Sequence, residues 1–193
     1  MKKAPEIYAD LKKGKFDPVY LIAGKEDFIV ESISKKILAK SVDEATKDFN
    51  LDILYGNEVD AGQIINTAMS YPMMAERRTV LVKNIHLLSA KSLELLAKYV
   101  AKPSQTTCLI LTASKMDFRK SAQAQIKNNS TFVEAKPLYD NQIPDWIRSH
   151  LKEHNLTISE NAIQLLHAST GTSLRRIATE VEKIKLILGE KTV

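Results

Sequence analysis

Short apolar runs alternate with longer segments in which apolar residues recur every three or four positions. This is the pattern of strands and amphipathic helices wound around a parallel sheet. PVYLIAG (18–24) predicts a buried first strand. EDFIVESISKKILAK (26–40) predicts a helix with Phe28, Ile29, Ile33, Ile37 and Leu38 along one face. FNLDILYG (49–56) alternates apolar and polar residues, as a more exposed strand does. DAGQIINTAMS (60–70) follows as a helix with Asp60 as its N-cap. The series continues with a strand over TVLVKNI (79–85) and a helix over SAKSLELLAKYVAK (89–102). TTCLILTAS (106–114) is the most strand-like run, followed by a helix over FRKSAQAQIKNN (118–129) and a short strand over TFVEA (131–135).

After KPLYDN the period becomes purely helical. NQIPDWIRSHLKEH (141–154) aligns Ile143, Trp146, Ile147 and Leu151, with Pro144 tolerated in the first turn. SENAIQLLHAS (159–169) starts at a serine cap and is closed by Gly171. SLRRIATEVEKIKLIL (173–188) repeats Leu174, Ile177, Val181, Ile184 and Leu188 at helical spacing. The expected architecture is an α/β domain over 1–139, with a five-stranded parallel sheet flanked by helices, and a three-helix domain over 140–193.

Composition narrows the class without naming a function. Of 193 residues, 44% are hydrophobic and 26% charged, enough for a globular protein with a real core. The net charge of +5 would assist an encounter with nucleic acid or an acidic partner, but it is diffuse and no aromatic stacking run accompanies it. A single cysteine, Cys108, excludes an internal disulfide and points to a reducing compartment. The N-terminal lysines are followed by no apolar signal region, and no run approaches the ~20 apolar residues of a membrane span. A cytoplasmic location, with no membrane partner, is the expectation.

A parallel α/β unit followed by a small helical unit is how P-loop ATPases of the AAA+ class are built, and their phosphate loop follows the first strand. Here that turn reads GKEDFIVES. Aligning the G-x-x-x-x-G-K-[ST] template on Gly24 places Ile29 at the second glycine, Val30 at the lysine and Glu31 at the metal-binding hydroxyl. Glu26 and Asp27 add charge that repels a triphosphate. The later strand TVLVKN ends in Lys83 and Asn84, where an acidic pair would hold Mg²⁺ and water. ATP hydrolysis, and any nucleotide or metal cofactor, is therefore not expected.

Other candidates carry weaker signals. His150 and His154 have the i, i+4 spacing of a metal pair, but HLKEH lacks the adjacent glutamate of a zinc-protease helix and no third ligand is evident. They read as two solvated histidines. His86 and His167 read as structural, and Cys108 as a buried inert thiol. Asp117 and Arg119 in KMDFRKS belong either to a basic patch or to a solvated helix start.

Taken in order, VYLIAGKEDFIVES, SYPMMAERRTVLVKN, LILTASKMDFRK and the segment from WIRSHLKEH to ILGE resemble the delta subunit of the bacterial DNA polymerase III clamp loader. The resemblance spans essentially the whole chain. It implies an AAA+-like fold with a degenerate P-loop, in a non-ATPase subunit that binds and opens the ring-shaped sliding clamp. The DNA-directed DNA polymerase activity, a nucleotidyl transfer, would belong to the holoenzyme that the subunit serves. Implied partners are the sliding clamp (beta subunit) and the gamma/tau and delta prime subunits, with DNA contacted only within the complex. The family's third domain, a helical collar, is expected to be absent from this chain.

The resemblance also implies a clamp-binding site. In the family, two adjacent large apolar residues at a helix tip enter a hydrophobic pocket on the clamp, and by position these are Met73 and Met74, assisted by Tyr71 and Pro72. Unbranched, polarizable methionines adapt to a pocket that they fill only on binding. The family more often has leucine or phenylalanine here, so the wedge is expected to be softer. Pro72 favours display by interrupting the helix before the pair; the alternative is that both methionines pack into the home core. Gly171, Leu174 and Arg175 resemble the position of a phosphate-sensing arginine in catalytic relatives, and Arg175 is given a packing or intersubunit role. Two other readings stay open: a divergent nucleotide-binding ATPase, and a directly DNA-binding replication accessory protein.

Overall fold

A computed structural model describes residues 4–188. The chain divides into two compact units between Lys136 and Pro137. In the first, five strands, β1 (Val19–Ala23), β2 (Leu51–Tyr55), β3 (Arg78–Lys83), β4 (Thr107–Ala113) and β5 (Thr131–Glu134), form one sheet in the order β2-β3-β4-β1-β5. Every pairing is parallel. The expected α/β architecture is present, with β2 and β5 as its edges.

Period-two alternation explains how the sheet is covered. Val19, Leu21 and Ala23 face α4 (Ala61–Met69), α5 (Ala90–Ala101) and α6 (Ser121–Asn128), where Ile64, Ala68, Leu93, Leu96 and Ile126 are buried. Tyr20 and Ile22 face the opposite way, onto Ile7 and Leu11 of α1 (Ala4–Lys12) and Ile33 and Ile37 of α2 (Asp27–Ser41). Central strands buried on both sides need continuous apolar runs, hence VYLIA in β1 and TCLILTA in β4. Truncating Leu109 or Ile110 to alanine in this core would cost ~2–5 kcal/mol.

The differences from expectation lie at element ends and in short helices. Residues 4–12 form a helix that the sequence pattern does not reveal. Phe49 and Asn50, expected to open a strand, instead end a four-residue helix, α3 (Lys47–Asn50). The strand expected over 79–85 stops at Lys83, because Asn84 is left-handed (φ 59°) and starts a 3-10 turn over Ile85–Leu87. The helix expected from Phe118 begins at Ser121.

In the second unit, α7 (Ile143–Glu153), α8 (Glu160–Thr170) and α9 (Leu174–Leu188) bury Ile143, Ile147, Leu151, Ile163, Leu166, Leu174, Ile177 and Val181. Ser159 caps α8 by accepting from the Ala162 amide at 3.3 Å. Gly171, at φ 63°, closes that helix by donating its amide to the His167 carbonyl at 2.8 Å.

Candidate functional site

The turn where a phosphate loop would lie is closed by backbone. Gly24 (φ 156°) donates its amide to the Ala113 carbonyl of β4 at 3.0 Å. Glu26 donates to the Ala135 carbonyl at 3.1 Å, and Ala135 donates back to Ala23 at 2.9 Å. A Cβ added at Gly24 would lie 1.9 Å from that same Ala135 oxygen. The space above β1 is thus filled by the chain leaving β5. The Glu26 carboxylate, in turn, caps α2 by accepting from the Phe28 amide at 3.3 Å. An anion-binding helix N-terminus needs free amides and a positive field; this one carries its own anion and a second, Asp27, in the first turn. In both respects the turn differs from one that cradles a triphosphate.

The loop from Ser70 to Arg77 has the opposite character, being open outside and held inside. It leaves α4 at Met69, with Ser70 as C-cap, so the helix ends before Pro72 rather than at it. The methionine pair therefore sits within a loop, not on a helix tip, and the reason is local: the residue before a proline is driven out of the helical region. Two hydroxyls fix the departure point. The Ala68 carbonyl, left over at the helix end, accepts from Thr107 Oγ1 at 2.7 Å and Tyr99 Oη at 3.3 Å.

All four residues expected at the site lie on this loop. Tyr71 is 82% exposed, Met73 55% and Met74 93%, while Pro72 is half-buried. Neither methionine is in the home core, which removes the alternative of two core fillers. Met74 takes a left-handed conformation (φ 54°), unusual for a residue with a side chain. Met69 at the end of α4 and Phe49 on α3 are also exposed.

What holds the loop is not evident from the sequence. Asn50 is 3% exposed and uses its whole amide. Its Oδ1 accepts from the Met73 amide at 2.8 Å, while Nδ2 donates to the Met73 carbonyl at 2.7 Å and to the Thr46 carbonyl at 3.1 Å. Arg78 Nε pairs with Asp52 Oδ2 at 2.9 Å, and Nη1 donates to the Tyr71 carbonyl at 3.4 Å. The Arg77 guanidinium lies 4.2 Å from the Phe16 ring centroid. Both arginines of the ERR cluster are thus anchors, and β3, which they open, is paired on both sides.

The remaining candidates resolve without chemistry. His150 and His154 are half-buried, not solvated as expected: the Trp146 and His150 rings stack at a centroid distance of 4.8 Å, and His150 meets His154, the C-cap of α7, edge-on at 4.7 Å. Burial first, and the neighbouring His150 second, hold the His154 pKa below the ordinary histidine range, against an opposing pull from Glu182. Among the described residues no group of three His, Cys, Asp or Glu could hold a metal. Cys108 is fully buried in β4, and burial pushes its thiol up to about 12, as an inert thiol requires. Arg119 forms a two-point ion pair with Asp117 at 2.8 and 3.1 Å, so it is locally neutralised rather than part of a basic patch. His86 meets Ser114 Oγ at 3.1 Å, His167 meets Asp140 at 3.0 Å, and Arg175 is exposed on α9. No described helix is long and apolar enough to cross a membrane.

Fold neighbours define the class first. The chain superposes on a mutant form of Thermotoga maritima RuvB with a TM-score of 0.53 at 14% identity, covering 93% of this chain and 58% of that one. A DNA polymerase III gamma subunit-related protein from the same organism matches with a TM-score of 0.51 at 13% identity, covering 98% of this chain and 63% of that one. These likenesses establish an AAA+-like fold. The particular family follows from sequence: the model described as DNA polymerase III, delta subunit matches residues 20–136, and the chain belongs to that family. It is 30% identical to the DNA polymerase III subunit delta of Bacillus subtilis over 196 aligned residues, covering 96% of this chain and 56% of that protein. The solved Bacillus subtilis DNA clamp loader delta protein superposes with a TM-score of 0.83 at 30% identity, covering 97% of this chain and 58% of that one. The chain therefore spans somewhat over half the length of these relatives.

Proposed function

We propose that this chain is the clamp-engaging part of a clamp-loader delta subunit, which binds the sliding clamp and opens one interface of the ring during DNA replication. Met73 and Met74 enter an apolar pocket on the clamp, with Tyr71 and Pro72 flanking them. The observation that carries the reading is the display of two adjacent methionines on a loop whose backbone is pinned from beneath. Unpartnered apolar side chains on a fixed support are what a buried interface anchor requires before it meets its pocket.

The chain does not hydrolyse ATP. Hydrolysis belongs to neighbouring subunits of the complex, among whose members are gamma/tau and delta prime, and nucleotide binding there controls access to the wedge by shifting populations. DNA is contacted within the assembled complex, in the cytoplasm. The closed turn at Gly24 supports the non-catalytic assignment, and membership of the delta family supports the partners.

The test is capture of the purified sliding clamp by the immobilised chain. Wild-type chain retains the ring, and the doubly substituted Met73→Ala, Met74→Ala chain loses most of it. Undiminished capture by that variant would remove the assignment.

A further inference from the structure

We propose that Asn50 is the positioning residue of the wedge, holding the Met73 backbone so that the methionine pair is displayed before the clamp arrives. The proposal rests on the reading of Met73 and Met74 as the clamp-engaging pair.

Asn50 lies 23 residues from Met73 in sequence, yet it engages both backbone polar groups of that one residue. The arrangement imitates a strand partner: one acceptor meets the amide and one donor meets the carbonyl, each within 2.8 Å. Its second amide hydrogen goes to the carbonyl of Thr46, the last residue of the 3-10 turn before α3, so the side chain is tied to that turn as well as to the loop. Burying an amide is unfavourable unless its polar atoms are matched, and here each is. Fixing the Met73 peptide fixes where the chain enters Met74, which holds a left-handed φ of 54° that a methionine in a free loop would leave.

Arg78 secures the loop further upstream, at the Tyr71 carbonyl, whereas the Met73 backbone is held by the Asn50 amide. Without that amide, the Met73 N–H and C=O return to water and the loop samples other conformers. A clamp that binds only the displayed conformer then meets a smaller competent fraction, and the apparent dissociation constant rises as the inverse of that fraction. If one loop in ten stays displayed, affinity falls about tenfold, chiefly through a slower association rate.

The experiment measures binding kinetics of the whole 193-residue chain on immobilised sliding clamp, with thermal melts and amide exchange alongside. Asn50→Ala is expected to weaken binding about tenfold and to speed exchange in 70–77 while leaving β2 unchanged. In the Met73→Ala, Met74→Ala background, adding Asn50→Ala should cost nothing more, because the residue acts only through the pair. Asn50→Asp supplies a readout that a general packing role would not move. Its carboxylate cannot donate to the Met73 carbonyl, so it should bind weakly at pH 8. Burial beside the Met73 and Thr46 carbonyls raises the pKa of an acid at this position, so as pH falls toward 5.5 the protonated form regains one donor and one acceptor, and its deficit relative to wild type should shrink.

Several results overturn the proposal. Wild-type binding by Asn50→Ala, when the methionine variant is defective, removes Asn50 and leaves the wedge standing. An additive loss in the triple variant also removes it. Full binding by the methionine variant removes both readings. Should Asn50→Ala fail to fold, absence of any acid recovery in Asn50→Asp decides against it.

Discussion

Gly24→Ala measures how tightly the turn after β1 is closed. The new Cβ would sit 1.9 Å from the Ala135 oxygen and 2.5 Å from its carbon, inside the 3.0 Å limit that Cβ atoms essentially never cross. Relief requires the β5 exit to move by about 1 Å, the shortfall that these distances define. That shift breaks the hydrogen bonds Glu26 N–H to Ala135 O and Ala135 N–H to Ala23 O, at ~1 kcal/mol each net. Holding a side chain at φ 156° adds ~1–3 kcal/mol of backbone strain. The expected loss is therefore ~3–5 kcal/mol, a large share of the ~5–15 kcal/mol that a domain has. Urea unfolding followed by circular dichroism would record it, and Cys108 accessibility would report the α/β unit specifically. Gly14→Ala is the matched control: φ is 69° there but nothing lies within 4 Å, so only ~1–2 kcal/mol of conformational cost applies. A Gly24→Ala chain within ~0.5 kcal/mol of wild type, in the range of an ordinary surface change, would refute the closed-turn reasoning.

Three further outcomes are expected. A fluorescent ATP analogue titrated with Mg²⁺ should show no saturable binding, since the turn after β1 is bonded to Ala135 and its helix N-terminus is capped by the Glu26 carboxylate; a saturating curve would reopen the ATPase reading. Cys108, pushed up to about 12, should resist a thiol reagent at pH 8 and react fully in denaturant, and rapid labelling of folded chain would contradict its burial. His154 is held below the ordinary 6.5, so the unfolded chain takes up the proton more readily than the folded one. Stability present above pH 6.5 should drain away as pH falls through the lower folded value, read by urea unfolding of Trp146 fluorescence at pH 8 and 5.5. Substituting His154→Gln should flatten that dependence; an unchanged slope would exclude His154 as its source.

The long elements were legible because their periods are strong. Alternating burial on one sheet left unmistakable runs at β1 and β4, and Asp60, Ser89 and Ser159 announced helix starts that their side chains do cap. The helix at 4–12 is hard to read because only Ile7 and Leu11 mark its buried face. The strand order was not readable at all, since it depends on which way each crossover turns. The Trp146, His150, His154 ladder was written in the sequence as three rings four residues apart, but spacing alone does not tell a stacked face from a wet one. Tyr71 to Met74 could be singled out, and of these Tyr71, Met73 and Met74 are exposed. Asn50 could not: its role depends on a partner 23 residues away, and a lone asparagine beside a strand reads as a turn residue.

The placement of β3 has a mechanical consequence. On the proposed function, the part that forces a ring apart must not yield under the reaction. A push on Met73 and Met74 would divide between Asn50 on α3, which holds the Met73 backbone, and Arg78, which holds Tyr71 and opens a strand bonded on one side to β2 and on the other to β4. Load directed along such a strand shears many hydrogen bonds together instead of peeling them one by one. A wedge at this loop would be a stiff tooth on a laminated mount, with its recoil shared by the breadth of the sheet.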